Sequence, residues 1–167
     1  MYHIMSVVIK MATKTNAVRI VEHAGIACRE LFYDYDENDL SGIHAAEALE
    51  LEPEQVYKTL VTRGAKTGIN VFCIPVSCEL DLKKAAKVAQ DKRIEMVHVK
   101  ELLAITGYIR GGCSPIGMKK RFPTFIEETC QLYDSIAVSA GERGHQIYLS
   151  PMDLAKITDA KLVDIIA

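Results

Sequence analysis

The chain has 167 residues, 49% of them hydrophobic and 25% charged, with a formal net charge of −2. That length supports one domain with a sizeable core, and that balance is ordinary for a soluble globular protein. A slightly acidic total excludes a global nucleic-acid-binding footprint, so any such contact must come from a local patch.

Residues 1–12 contain a short apolar run, too short to span a bilayer and without the basic start and cleavage site of a signal peptide. They read as an extension to a domain over residues 13–167: an edge strand or a poorly ordered segment. Helical spacing of Ala17, Ile20, Val21 and Ala24 predicts a first helix over 13–24, with Gly25 as its C-cap. A strand follows over 27–35, then an acidic turn over 34–39. Ser41 is placed to cap a helix over 43–49, and Pro53 to start a short turn. Apolar, β-rich runs over 56–62 and 69–76 flank a loop with two glycines and predict a hairpin. Asp81 opens a helix through Val88. A short strand over 94–97 and a helix over 100–106 lead into a glycine-rich loop. Beyond it the pattern predicts strands over 122–127, 135–139 and 146–149, the last two joined by a turn over 140–144. Ser150, Pro151 and Asp153 start a final helix that closes the chain through residue 167. Interleaved helices and hairpin-spaced strands define an α+β fold with a mixed, mostly antiparallel, partly closed sheet.

The five cysteines are irregularly spaced, with no CxxC pair. This argues against a disulfide framework or a structural zinc site and fits a reducing cytoplasm. The five histidines show no ligand spacing, and phosphate-loop, dinucleotide, zinc-protease and nucleophile-elbow motifs are absent. No metal and no cofactor is expected.

Two features carry chemistry. The loop over 106–120, T-G-Y-I-R-G-G-C-S-P-I-G-M-K-K, holds four of the chain's ten glycines and runs into Arg121. Glycines let backbone amides approach a ligand closely, Ser114-Pro115 shapes the centre, and Lys119, Lys120 and Arg121 add a positive field. The second feature is Lys58, in an otherwise apolar strand and on one face with Val56 and Leu60. It is either an edge cation or a charge aimed into a pocket at a phosphate, carbonyl or hydroxyl. Ser139 ends a strand of small residues, where it caps the turn or bonds a ligand. The turn 142–144 reads as a solvated charged turn.

V-Y-K-T-L over 56–60, L-D-L-K-K-A-A-K over 80–87, the glycine loop, and V-S-A-G-E-R-G over 138–144 occur in this order. Together they resemble the bacterial YbaK group of freestanding editing proteins, related to the editing domain inserted in prolyl-tRNA synthetase. The resemblance covers residues 13–167. It implies a deacylase that clears mischarged Cys-tRNA(Pro), and less selectively Cys-tRNA(Cys). The substrate's own thiol would attack its ester, consistent with the lack of a nucleophile–base motif. Aminoacyl-tRNA and prolyl-tRNA synthetase are the implied partners.

By the same resemblance Lys58 lies near the terminal adenosine, and the amides of Gly111 and Gly112 hold the aminoacyl carbonyl. Ser139 sits near the amino group or thiol. Tyr33, or Phe32 under a one-residue shift, stacks the terminal base. Thr59, Ser114 and Gln146 join the substrate contacts, and Lys119, Lys120 and Arg121 meet the acceptor stem. Three positions depart from the family pattern: Ser41 in place of an aromatic, Gln146 in place of an acidic residue, and Cys113 in place of an aliphatic one. The alternatives are editing of another aminoacyl-tRNA, such as Ala-tRNA, and a non-catalytic tRNA- or synthetase-binding adaptor.

Overall fold

The computed structural model describes residues 14–167, so the expected N-terminal extension lies outside the described residues. Helix α1 (Asn16–His23) starts where Thr15 Oγ1 accepts the Val18 amide at 3.2 Å, satisfying one of the free first-turn donors. It buries Ala17, Val18 and Val21. Strand β1 (Cys28–Phe32) follows, then α2 (Gly42–Leu49), capped by Ser41 as expected. Ser41 Oγ accepts the His44 amide at 3.3 Å while its own hydrogen goes to Asp39 at 2.6 Å. The Ser41 hydroxyl, with the Ser41 amide donating to the same carboxylate, holds Asp39 below its ordinary pKa.

Strands β2 (Tyr57–Gly64) and β3 (Gly68–Pro75) form the expected hairpin, paired without a break from Tyr57–Pro75 to Gly64–Gly68. The strands run further into the predicted loop than hydrophobicity alone suggests. Asp91 explains this, because its carboxylate accepts the amides of Lys66 and Thr67 and so closes the turn from outside. Helix α3 (Leu82–Val88), capped by Asp81, leads to β4 (Ile94–Met96) and α4 (Val99–Thr106). After the glycine loop come β5 (Thr124–Glu127), a 3-10 turn, β6 (Ile136–Glu142), β7 (His145–Leu149) and α5 (Pro151–Thr158). Ser150 occupies the cap of α5 without a side-chain bond to it.

The fold is mixed α+β. One sheet has the order β1-β7-β6, all antiparallel. The other has β4-β2-β3-β5-β8, with β8 at Lys161–Val163, antiparallel about β2 and parallel at β5. The sheets meet at a parallel bridge between Val56 and Ala137, and among the described residues no barrel closes. Among the described residues no helix is long and apolar enough to cross a membrane.

The expected C-terminal helix over 154–167 is corrected. Helix α5 ends at Thr158, Asp159 takes a left-handed conformation (φ 55°), and β8 (Lys161–Val163) pairs parallel with β5. The cause lies far away in sequence. Glu127 is 1% exposed, and its carboxylate accepts the amides of both Thr129 (2.8 Å) and Ile165 (3.1 Å). Ile165 itself is fully buried. Edge pairing and a buried carboxylate thus outweigh the helical apolar spacing of the last residues.

Glu127→Ala is expected to leave the buried Ile165 amide unpaired and to cost about 2 kcal/mol. Urea unfolding checks the size of the loss, and amide exchange should show it concentrated over residues 161–167.

Candidate functional site

Strand β4 covers β2 only at Thr62–Gly64, so the β2 edge over 57–60 stays open. Beyond the Val56–Ala137 bridge, β2 and β6 part, and a cavity of about 410 Å³ lies between them. One wall is Val56 and the start of β2, where Tyr57, Lys58, Thr59 and Leu60 all border the cavity. The opposite wall is Ser139 of β6 and Gln146 of β7, which are direct cross-strand partners. The mouth is formed by Tyr33, the start of α2 at Ser41 and Gly42, and the glycine loop at Arg110, Gly111 and Cys113.

Lys58 stands on this open edge and borders the cavity, so the two expected positions coincide. It has no acidic partner among the described residues. The charged residues lining the cavity are Lys58 and Arg110, with no carboxylate beside them. Thr59 also lines it, half-buried. Ser139 Oγ accepts the Gly141 amide at 3.1 Å, so it does cap the turn, and its hydroxyl hydrogen remains available to a ligand. Gln146 is 6% exposed, and its Oε1 is a buried acceptor with no partner. A buried unpaired carbonyl costs free energy unless something fills it, so a donor in the cavity is favoured there.

Of the two aromatic candidates, Tyr33 lines the cavity. Phe32 points elsewhere and stacks on His145 at 4.3 Å. Burial raises the Tyr33 pKa, while the Gly144 backbone and the Gln146 side chain pull it partly back. Behind this wall His145 is fully buried, its Nε2 2.9 Å from Glu30 Oε1 and its Nδ1 3.4 Å from Glu142 Oε1. The charged turn is thus not simply solvated: Glu142 faces a buried histidine, and the Arg143 Nε–H donates to the Arg110 carbonyl at 2.9 Å.

The glycine loop is closed at its base by the Lys119 amide on the Thr106 carbonyl, at 3.0 Å. Gly111 takes a φ of 86°, left-handed backbone that favours glycine. A Cβ at Gly112 would lie 3.0 Å from backbone atoms of Glu142, so a side chain there would require the loop and the β6–β7 turn to shift by a few tenths of an ångström.

Two expectations for this loop, at Gly112 and Ser114, are revised. The Gly112 amide is spent on the Ile109 carbonyl at 3.0 Å, which leaves it no proton for a ligand. Among the described residues the Gly111 amide has no acceptor. Ser114 is fully buried and its Oγ accepts the Ile116 amide at 3.2 Å, so it shapes the loop outside the cavity. Lys120 and Arg121 line a separate groove, with Arg121 donating to the Ile157 carbonyl at 3.3 Å, and Lys119 reaches the Ala104 carbonyl at 3.5 Å. Arg110, in contrast, lines the cavity although its side chain drew no notice in the sequence; its place next to Gly111 was the available signal.

Burial pushes the Cys113 thiol up to about 12, with the Thr106 hydroxyl pulling slightly the other way. At neutral pH it is a protonated, weakly nucleophilic wall residue. No histidine lines the cavity among the described residues, so no side-chain base stands beside its hydroxyls.

The structure thus presents an open two-sheet scaffold around a cavity lined by two cations and by unused hydrogen-bonding groups. Comparison with known proteins gives the chain its family. A model described as the aminoacyl-tRNA editing domain matches residues 40–157. EbsC of Enterococcus faecalis (strain ATCC 700802 / V583), provisionally named a Cys-tRNA(Pro)/Cys-tRNA(Cys) deacylase, is 49% identical over 156 residues, 93% of this chain and 95% of that protein. A solved structure provisionally identified as a trans-editing enzyme for prolyl-tRNA synthetase is 23% identical with a TM-score of 0.76, covering 93% of this chain and 99% of that one. The hypothetical protein APE2540 is 19% identical with a TM-score of 0.81, covering 90% and 98%. At these identities the two structures speak to the fold. The chain belongs to the aminoacyl-tRNA editing domain family, the YbaK family, and is an enzyme of the aminoacyl-tRNA deacylase type.

Because its thiol stands about three pH units above the ordinary 9.0, Cys113 is expected to alkylate with iodoacetamide at pH 8 at least about a hundredfold more slowly in the native than in the urea-unfolded chain. Peptide mapping of the labelled cysteines reads this out.

Proposed function

We propose that this protein removes cysteine from mischarged tRNA, chiefly Cys-tRNA(Pro), by letting the substrate's thiol cleave its own ester. The observation that carries the reading is the cavity's chemistry: two cations, no carboxylate, and no side-chain nucleophile–base pair among its lining residues. A cavity of this kind suits the phosphate-flanked 3′ end of tRNA, and it leaves activation to the substrate.

The thiol sulfur attacks the aminoacyl carbonyl, and the ester C–O bond breaks with its electron pair on the ribose oxygen. That oxygen takes the thiol's proton, so tRNA leaves with a free hydroxyl and cysteine leaves as a cyclic thiolactone. Lys58 contacts the terminal nucleotide. The unengaged Gly111 amide stabilises charge on the carbonyl oxygen, a type of contact worth several kcal/mol in a dry site. Ser139 donates its free hydroxyl hydrogen to the substrate, and Gln146 Oε1 accepts from the α-amino group. Tyr33 stacks the terminal base. Lys119, Lys120 and Arg121 follow the acceptor stem, in salt-dependent contact with phosphates. The similarity to EbsC and to the trans-editing protein supports the choice of cysteine and of prolyl-tRNA synthetase as the partner delivering substrate.

Incubation with Cys-, Ala- and Ser-tRNA(Pro) tests the reading. Cys-tRNA(Pro) should be cleared fastest, and Ser-tRNA(Pro) at least about a hundredfold more slowly, because a hydroxyl is a far weaker nucleophile than a thiol. Equal rates on serine and cysteine would remove the thiol mechanism, a preference for alanine would assign another substrate, and binding without turnover would make the protein an adaptor. Lys58→Ala should lower kcat/KM about a hundredfold; a wild-type rate would return Lys58 to a packing role.

Gln146→Leu should lower kcat/KM on Cys-tRNA(Pro) by about tenfold or more through loss of the acceptor. The same substitution should matter little on N-acetylated Cys-tRNA(Pro). Equal losses on both substrates would show that Gln146 does not read the amino group.

A further inference from the structure

Arg143 is outside the cavity lining, in the tight turn between β6 and β7, and is half-buried. Its Nε–H nevertheless points back to the glycine loop and donates to the Arg110 carbonyl at 2.9 Å. Its side chain lies over Gly111, where an added Cβ would be 3.3 Å from Nε and 3.4 Å from Cγ. The next loop residue, Gly112, rests on the backbone of the same turn, 3.0 Å from Glu142 and 3.1 Å from Arg143 N by its added Cβ. The turn also joins the strands that carry Ser139 and Gln146. The glycine loop at the mouth and the Ser139–Gln146 wall therefore share one fastening.

We infer that Arg143 is a positioning residue for this deacylase site: its Nε–H holds the loop backbone at Arg110 and so places the Gly111 amide against the Ser139–Gln146 wall. The inference rests on the function proposed above, but its structural half stands without it. The contact is a hydrogen bond from one particular atom, so charge is not what the role requires. Lysine keeps the charge and the length but has a methylene where arginine has Nε. Glutamine loses the charge but places an amide N–H the same number of bonds from Cα. A phosphate-binding role would rank these two variants in the opposite order.

The test compares R143K and R143Q in the full chain. In the free protein, exchange of the Gly112 amide, which reports loop geometry through its bond to Ile109, is expected to be about tenfold faster in R143K. In R143Q it should stay within about threefold of wild type. On Cys-tRNA(Pro), kcat should fall by about tenfold or more in R143K with KM nearly unchanged, the mark of a displaced reacting group, and should be largely retained in R143Q. Unchanged Gly112 exchange in R143K would overturn the inference. Equal losses of kcat in both variants would do the same, as would an active R143K beside an impaired R143Q. If the wild-type protein clears no aminoacyl-tRNA, the proposed function fails, and the exchange measurement alone still decides the role of Arg143.

Discussion

The site depends on one close approach, that of Gly112 to the backbone of the β6–β7 turn. The turn is the end of one sheet, and the glycine loop is the connection that carries the chain from α4 to β5 of the other. A side chain at Gly112 would press on backbone atoms of that turn and require a small shift of one against the other. With that contact made, Arg143 can reach the Arg110 carbonyl and Gly111 can face Ser139 and Gln146 across the cavity.

Around this contact the two sheets divide their work. The five-stranded sheet presents an open β2 edge, because β4 is too short to cover it, and Lys58 stands on that edge. The three-stranded sheet presents buried polar groups from β6 and β7 and is stiffened from behind by Glu30, His145 and Phe32. Leaving a lysine unpaired and a glutamine oxygen unsatisfied costs stability in the empty protein. Such costs are common where groups are kept for a ligand.

The departures at Gln146 and Cys113 both fall on the cavity lining. Glutamine offers an acceptor without a charge. Cysteine supplies a small, protonated surface, since burial holds its thiol near 12. Ser41 also borders the cavity, with its hydroxyl committed to Asp39 and to the start of α2.

Local chemistry made much of this legible in the sequence. The caps at Ser41 and Asp81 and the β2–β3 hairpin follow from side-chain bonding and periodicity alone. The order of the motifs pointed to the family, and with it to Lys58, Gly111, Ser139 and Tyr33, all of which line one cavity. Only tertiary structure decided the rest. The last residues carry a helical pattern but become a strand because Glu127, nearly forty positions earlier, binds the Ile165 amide. Gly112, Ser114 and the basic triplet sit in the right loop, yet their hydrogen bonds and positions take them out of the cavity. Arg143 looked like a solvated turn residue until the loop was folded against it. A sequence records which groups are present and their local spacing; which donor meets which acceptor across the chain depends on how the sheets pack.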